Sequence, residues 1–274
     1  KNIDTILIGA KSKNYFENKL NLFHYTYMPL HQSFTKIYTI NKNDVDLYCR
    51  YIGGDKVFHL GNPRYDQVFL ASRNIPGKNK IPIDRRKKIL LLASMHSEDR
   101  NIILPGLVQY MKKYDKLEVF WVSHEPASQE NKYLKSIFSR QGISSEVINS
   151  LEESHNSTIR VRIINIIGVL AELYWEAKIA YVGGGFSTGV HNLMEPAVAG
   201  VPTFFGPNYQ DFDEAVQIIN NESGFVINKG KDFIDKMDLL LSEEDKIKLA
   251  SNQALNLIKN NIGSSNKIVN EITS

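Results

Sequence analysis

The stretch 181–207, YVGGGFSTGVHNLMEPAVAGVPTFFGP, constrains this chain more than any other, because it compresses a strand, a glycine turn, a carboxylate-bearing helix and a second strand into one short segment. The apolar run Ile179-Ala180-Tyr181-Val182 reads as a buried strand, and Gly183-Gly184-Gly185 ends it with residues that tolerate positive φ and close backbone approach. Residues 191–199 then read as a helix whose first amides and positive dipole end suit a phosphate or carboxylate. Asn192 and Glu195 lie three apart, so both project from one face of its first turn. Gly200-Val201-Pro202 stops the helix, Thr203-Phe204-Phe205 gives the next strand, and Gly206-Pro207 turns the chain again. Strand, glycine turn and helix also occur as plain α/β architecture. An acid behind a His191-Asn192 pair, at the carboxyl end of a strand where open α/β sheets bind ligands, favours a ligand site.

Composition sets the outer limits. The chain of 274 residues is 42% hydrophobic, enough for a substantial core in one large or two smaller domains. Its 33 basic and 30 acidic residues give a charge of only +3, scattered rather than blocked, which argues against a nucleic-acid partner. The single Cys49 excludes an intramolecular disulfide framework, and its place in a helix-spaced segment suits packing better than catalysis. No run of about eighteen apolar residues occurs, so no spanning helix is expected.

Along the chain, residues 5–10, 36–40 and 56–60 read as strands; residues 15–22, 27–34 and 43–52 read as helices, the last with Asn43 as its cap. Residues 76–80, Pro-Gly-Lys-Asn-Lys, look like a linker. The continuous apolar strand 88–93 opens a second domain, in which strands at 118–122, 161–164, 179–182, 203–205 and 224–227 alternate with helices at 101–114, 130–141, 169–177, 191–199 and 211–220. Helices at 231–261 and 264–273 close it. Such alternation implies βαβ units and a parallel sheet. Ser94-Met95-His96-Ser97-Glu98 and His124-Glu125 follow strands and fall at their carboxyl ends; a helix cap accounts for Ser97 and Asp99 almost as well, and a lone histidine is more often structural, but three segments converging at one edge favour a functional His124. His96, His124, His191 and Glu195 are conceivable metal ligands, but no two histidines sit at a ligand spacing on one helix, so no metal is expected.

Five of these segments carry a family resemblance. Gly183-Gly184-Gly185-Phe186, His191-Asn192-Leu193-Met194-Glu195-Pro196 and Phe205-Gly206-Pro207 resemble the donor-binding signature of the 3-deoxy-D-manno-octulosonic acid (Kdo) transferases of lipopolysaccharide synthesis. Gly61-Asn62-Pro63-Arg64-Tyr65-Asp66, the 93–98 and 122–125 segments and Ile166-Ile167-Gly168-Val169-Leu170 precede it in the family's order, over residues 24–227, and the GGGF, GVHN and FGPNY wording is most similar to Bacteroidetes-type versions.

The resemblance implies a GT-B glycosyltransferase with two Rossmann-like domains facing a cleft: residues 1–68 as the remnant of an acceptor-side domain, 69–83 as linker, 84–262 as the donor-binding domain and 263–274 as a terminal helix or tail. It implies transfer of Kdo from CMP-Kdo to a lipid A precursor with inversion, at the cytoplasmic face of the bacterial inner membrane, without a cofactor or metal. Implied donor contacts are Arg64, where the family more often has Lys; Ser94, His96, Ser97 and Glu98; His124 and Glu125; and Ile167 and Gly168 against the cytosine. In the signature itself Glu195 would accept from ribose hydroxyls, and Asn192 with the Gly184, Gly185 and Phe186 amides would hold the phosphate beside His191. The family's general base has no counterpart here and is expected before Lys1, so no catalytic base is assigned. Another nucleotide-donor glycosyl or glycerophosphate transferase, or a non-catalytic nucleotide-binding fragment, remains open.

Overall fold

Among the described residues every strand pairs in parallel with its neighbours, as the strand–helix alternation requires. The computed structural model describes residues 3–11, 22–76, 80–151 and 158–273. The chain divides into two compact units, residues 1–70 with 260–274, and residues 71–259.

In the first unit, β1 (Ile6–Ala10), α1 (Leu22–Ser33), β2 (Lys36–Thr39), α2 (Lys42–Ile52), β3 (Val57–His59) and α3 (Arg64–Arg73) alternate, with the strands in the order β1-β2-β3. Ala10, Ile37, Tyr48 and Val57 form its buried core. Asn41, not Asn43, stands at the start of α2, where its side-chain amide donates to Asp44 Oδ2 at 3.3 Å. The expected helix at 15–22 falls on residues outside the described set except for Leu22, as do 77–79 of the expected linker.

The second unit is built on β4 (Ile89–Met95), α4 (Ser97–Lys113), β5 (Glu118–Ser123), α5 (Ser128–Arg140), β6 (Ser145–Ile148), β7 (Val161–Ile164), α6 (Leu170–Leu173), β8 (Ile179–Val182), α7 (Met194–Val198), β9 (Thr203–Phe205), α8 (Asp213–Asn220), β10 (Gly224–Val226), α9 (Gly230–Ser242) and α10 (Glu244–Asn261). The sheet order is β10-β9-β8-β4-β5-β7-β6. Leu90, Leu91, Leu92 and Ala93 are fully buried because helices cover both faces of the central strand. Burial of a leucine contributes about 1.5–3 kcal/mol, so β4 alone supplies a large share of the driving force. No helix of the described residues is long and apolar enough to cross a membrane.

Three elements differ from the sequence reading. Strand β6 is unforeseen; it is a short edge strand whose serine and glutamate give no apolar run. The helix expected over 191–199 shrinks to the five residues of α7, and the one expected over 169–177 to the four of α6. The expected terminal helix forms as α11 (Ser264–Thr273), which groups with the first unit. Asp66 holds it there, accepting from the backbone N–H of Gly263 at 2.5 Å and of Ser265 at 2.9 Å and from the Ser265 hydroxyl at 3.2 Å. Gly61, at φ +91°, leaves room that a Cβ would take from Ser264 Oγ. The GNPRYD segment is therefore at least in part a structural joint between α3 and α11.

Candidate functional site

From β4 the chain proceeds outward to β5, whereas from β8 it proceeds the opposite way to β9 and β10, and β4 and β8 are neighbours. Their carboxyl ends therefore define the topological switch point, the place where an open parallel sheet leaves a crevice between diverging connections. Ser94 and Met95 close β4 there, and the triple glycine follows β8.

The two ends touch through backbone alone. A Cβ on Gly183 would run into the Ser94 carbonyl, and one on Gly185 would lie 2.5 Å from Gly206 N, so the turns after β4, β8 and β9 stack without intervening side chains. Gly184 turns the chain at φ +89°. Ser94 itself adopts φ +51°, beside an irregularity in the β4–β5 register, a conformation costing about 1–3 kcal/mol in a non-glycine residue and concentrated at ligand sites.

Beneath the turn lies Asp99, which sequence reasoning took only as a cap candidate. It is fully buried in the first turn of α4 and accepts from the Tyr181 hydroxyl at 2.7 Å and from the Gly184 N–H at 2.8 Å. Burial, and then Asp99, push the Tyr181 hydroxyl's pKa well up, which keeps it a donor. Because Asp99 takes the Gly184 amide, only the Gly185 and Phe186 amides of the expected three are left without a protein acceptor among the described residues.

Three imidazoles gather at the same strand ends. His96 precedes α4, His124 follows β5 with its backbone N–H on Met95 O at 3.0 Å, and His191 follows the glycine turn with its N–H on Gly183 O at 3.1 Å. The His96 and His191 Nε2 atoms are 2.7 Å apart, and the rings stack with centroids 4.4 Å (96–124), 4.5 Å (124–191) and 5.0 Å (96–191) apart. Burial, and then His124 and His96, hold the His191 imidazole below its ordinary pKa. Spacing along a single helix thus gave no ground against a metal, since three different loops deliver the rings. Beside them the buried Ser123 hydroxyl, at the end of β5, has no hydrogen-bond partner among the described residues.

Glu195 is half-buried at the start of α7, and burial raises its pKa, partly offset by a 3.0 Å hydrogen bond from the Asn192 amide. Asn192 Oδ1 accepts from the Met194 N–H at 3.0 Å. Asn192 thereby ties Glu195 to the start of α7, with one amide N–H on Glu195 and its oxygen on Met194. A five-residue α7 carries too few peptides for the dipole that the longer expected helix would have supplied.

The remaining predicted residues lie on other segments. Ser97 and Glu98 are exposed in the first turn of α4, bonded to each other at 3.0 Å, and Glu125 is exposed after His124. Ile167 is 86% exposed and Gly168 turns at φ +83° ahead of α6, leaving an uncovered apolar side chain after β7. Arg64 is an exposed residue at the start of α3 in the other unit.

No family model matches the chain. Among curated proteins it is 24% identical over 234 residues to a Kdo transferase of Rickettsia prowazekii, covering 84% of this chain and 50% of the relative. It is 27% identical over 250 residues to the Kdo transferase of Aquifex aeolicus, covering 90% and 63%, and 31% identical over 155 residues to that of Chlamydophila psittaci, covering 56% and 34%. The chain thus spans between a third and just under two thirds of these relatives. Among solved structures it matches the C-terminal CMP-Kdo binding domain of WaaA from Acinetobacter baumannii with a TM-score of 0.56 at 21% identity, over 70% of this chain and 98% of that one. It matches the S. aureus MnaA–UDP co-structure with a TM-score of 0.64 at 15% identity, over 98% and 68%. The curated relatives of this chain are Kdo transferases, and the fold it shares with its solved neighbours is that of the GT-B glycosyltransferases.

Proposed function

We propose that this chain carries the donor-binding part of a Kdo transferase, which moves Kdo from CMP-Kdo to a lipid A precursor at the cytoplasmic face of the inner membrane and releases CMP. The observation that carries the reading is the turn after β8. Its Gly185 and Phe186 amides are left without protein acceptors among the described residues at the switch point, in a chain whose curated relatives are Kdo transferases. Two amides aimed at a phosphate contribute about 1.5–3 kcal/mol each, and they do so without reorganising, because stacked glycine backbone and Asp99 already fix them. In the transfer, the bond from the Kdo anomeric carbon to the phosphate oxygen breaks with its electron pair on CMP. The acceptor hydroxyl attacks from the opposite face, with inversion, and gives its proton to a base that is not assigned to a residue of this chain.

The test is calorimetric titration of the chain with CMP against UDP. CMP should bind the more tightly; UDP binding the more tightly would replace Kdo transfer with transfer from a uridine donor. Within this reading Glu195 accepts from ribose hydroxyls, so Glu195→Ala should weaken CMP binding by about 1.5–3 kcal/mol in a folded protein. Glu195→Gln separates function from stability. Because the folded-state pKa of Glu195 lies above its usual 4.5, the folded chain binds more protons than the unfolded one just above that pH. Stability contributed by this group is therefore present at low pH and lost as pH rises through the raised value. Gln at this position should make the free chain more stable at neutral pH and flatten that dependence, while CMP binds more weakly. Unchanged CMP affinity in both variants would remove Glu195 from the site.

Transfer on this reading runs on protein groups alone, without a metal. CMP binding and reconstituted transfer should survive a chelator, and loss of either, restored by Mg2+, would count against it.

A further inference from the structure

His96, His124 and His191 bring one ring nitrogen each to within 4.8 Å of the other two. The fold does not require this. His124 is exposed and could extend into water, yet its ring stacks on both others, and no hydrogen bond among the described residues holds it there. The His96–His191 contact at 2.7 Å needs one shared proton, and moving that proton to the far nitrogen of its ring frees both Nε2 lone pairs. Three protonated rings so close would repel one another, whereas three neutral ones present the donor set of a transition-metal site.

We infer that His96, His124 and His191 bind one divalent transition-metal ion of the Zn2+ or Co2+ kind through three imidazole nitrogens, leaving a fourth position open beside the glycine turn. Ligands on a tetrahedral ion at about 2.0–2.1 Å stand about 3.3 Å from one another, so small ring rotations close the present spacing around an ion. Anchoring is in place: the backbones of His124 and His191 are bonded to the ends of β4 and β8, and His96 sits at the head of α4. With nitrogen donors only, the set selects against Mg2+ and Ca2+, which take oxygen. The same three histidines are donor contacts in the proposed function, but coordination is read on unliganded chain and CMP affinity separately, so either reading can fail without the other.

The experiment titrates chelator-treated, unliganded chain with Co2+ and follows visible absorption, then adds Zn2+. One Co2+ per chain with the strong bands of tetrahedral coordination, displaced by Zn2+ and not by Mg2+, is expected. His124→Ala, which changes an exposed side chain, should weaken binding by tenfold or more with an unchanged circular dichroism spectrum; His124→Gln serves as the second variant. His59→Ala, in the other unit, should leave it unchanged. Weak octahedral-type absorption only, displacement by Mg2+, or undiminished affinity in both His124 variants overturns the inference.

Discussion

Asp99→Ala should lower the unfolding free energy by about 3–6 kcal/mol, because it removes the acceptor of two charge-assisted hydrogen bonds, each contributing about 1.5–3 kcal/mol. The loss is not softened by water: Asp99, Tyr181 and Gly184 are all buried, so the Tyr181 hydroxyl and the Gly184 N–H are left as orphan donors. Asp99→Asn isolates the cause. Its carbonyl still accepts from Gly184, and the Tyr181 hydroxyl can reverse and accept from the new amide, so both contacts survive and the loss should be about 1 kcal/mol. Urea denaturation of both variants makes the comparison, with CMP titration reading the turn: Asp99→Ala frees the glycine segment and should weaken CMP binding even where the protein remains folded. If Asp99→Asn is as damaging as Asp99→Ala, hydrogen-bond geometry is not what Asp99 supplies, and its charge is.

Arg86 should produce an effect of similar size at a distance from the glycine turn. Its guanidinium is buried and has no carboxylate within bonding reach among the described residues; instead Nε donates to Ile81 O at 2.7 Å, Nη1 to Tyr174 O at 3.1 Å and Ala177 O at 2.8 Å, and Nη2 to Ala199 O at 2.8 Å. Tyr174 and Ala199 close α6 and α7, so one side chain satisfies carbonyls that those short helices leave open. Burial pulls the pKa only to about 10, which leaves the group charged at neutral pH. Arg86→Ala should cost about 3–5 kcal/mol, since several buried carbonyls lose charged donors at once, and Arg86→Lys should recover only part, because an ammonium cannot span the planar fork. Chemical denaturation decides the matter: a loss under about 1 kcal/mol for Arg86→Ala would mean that water replaces the guanidinium at little cost.

Arg86 also shows where reading a sequence stops. In Ile83-Asp84-Arg85-Arg86-Lys87-Lys88 nothing marks one of four adjacent cations as the buried one. By contrast β4 was legible because a continuous apolar run is a local signal of two-sided burial, and the triple glycine because positive φ and backbone contact exclude a Cβ at any of its three positions. Helix α7 was overestimated, as its glycine and proline neighbours cut it to five residues. Asp99 was visible only as an acid in a helix's first turn, a pattern the dipole alone explains.

Local signals were enough for the parallel α/β class, the strand–glycine–helix–strand unit and the pairing of Asn192 with Glu195, all of which depend on residues within a few positions of one another. Only the tertiary structure decided that β8 lies against β4, that Asp99 supports the glycine turn, that the three imidazoles meet and that α11 returns to Asp66. Each of these joins residues far apart in the chain, and such pairings are selected by how whole strands and helices bury their apolar faces together, a cooperative choice that leaves no mark in any one local stretch of sequence.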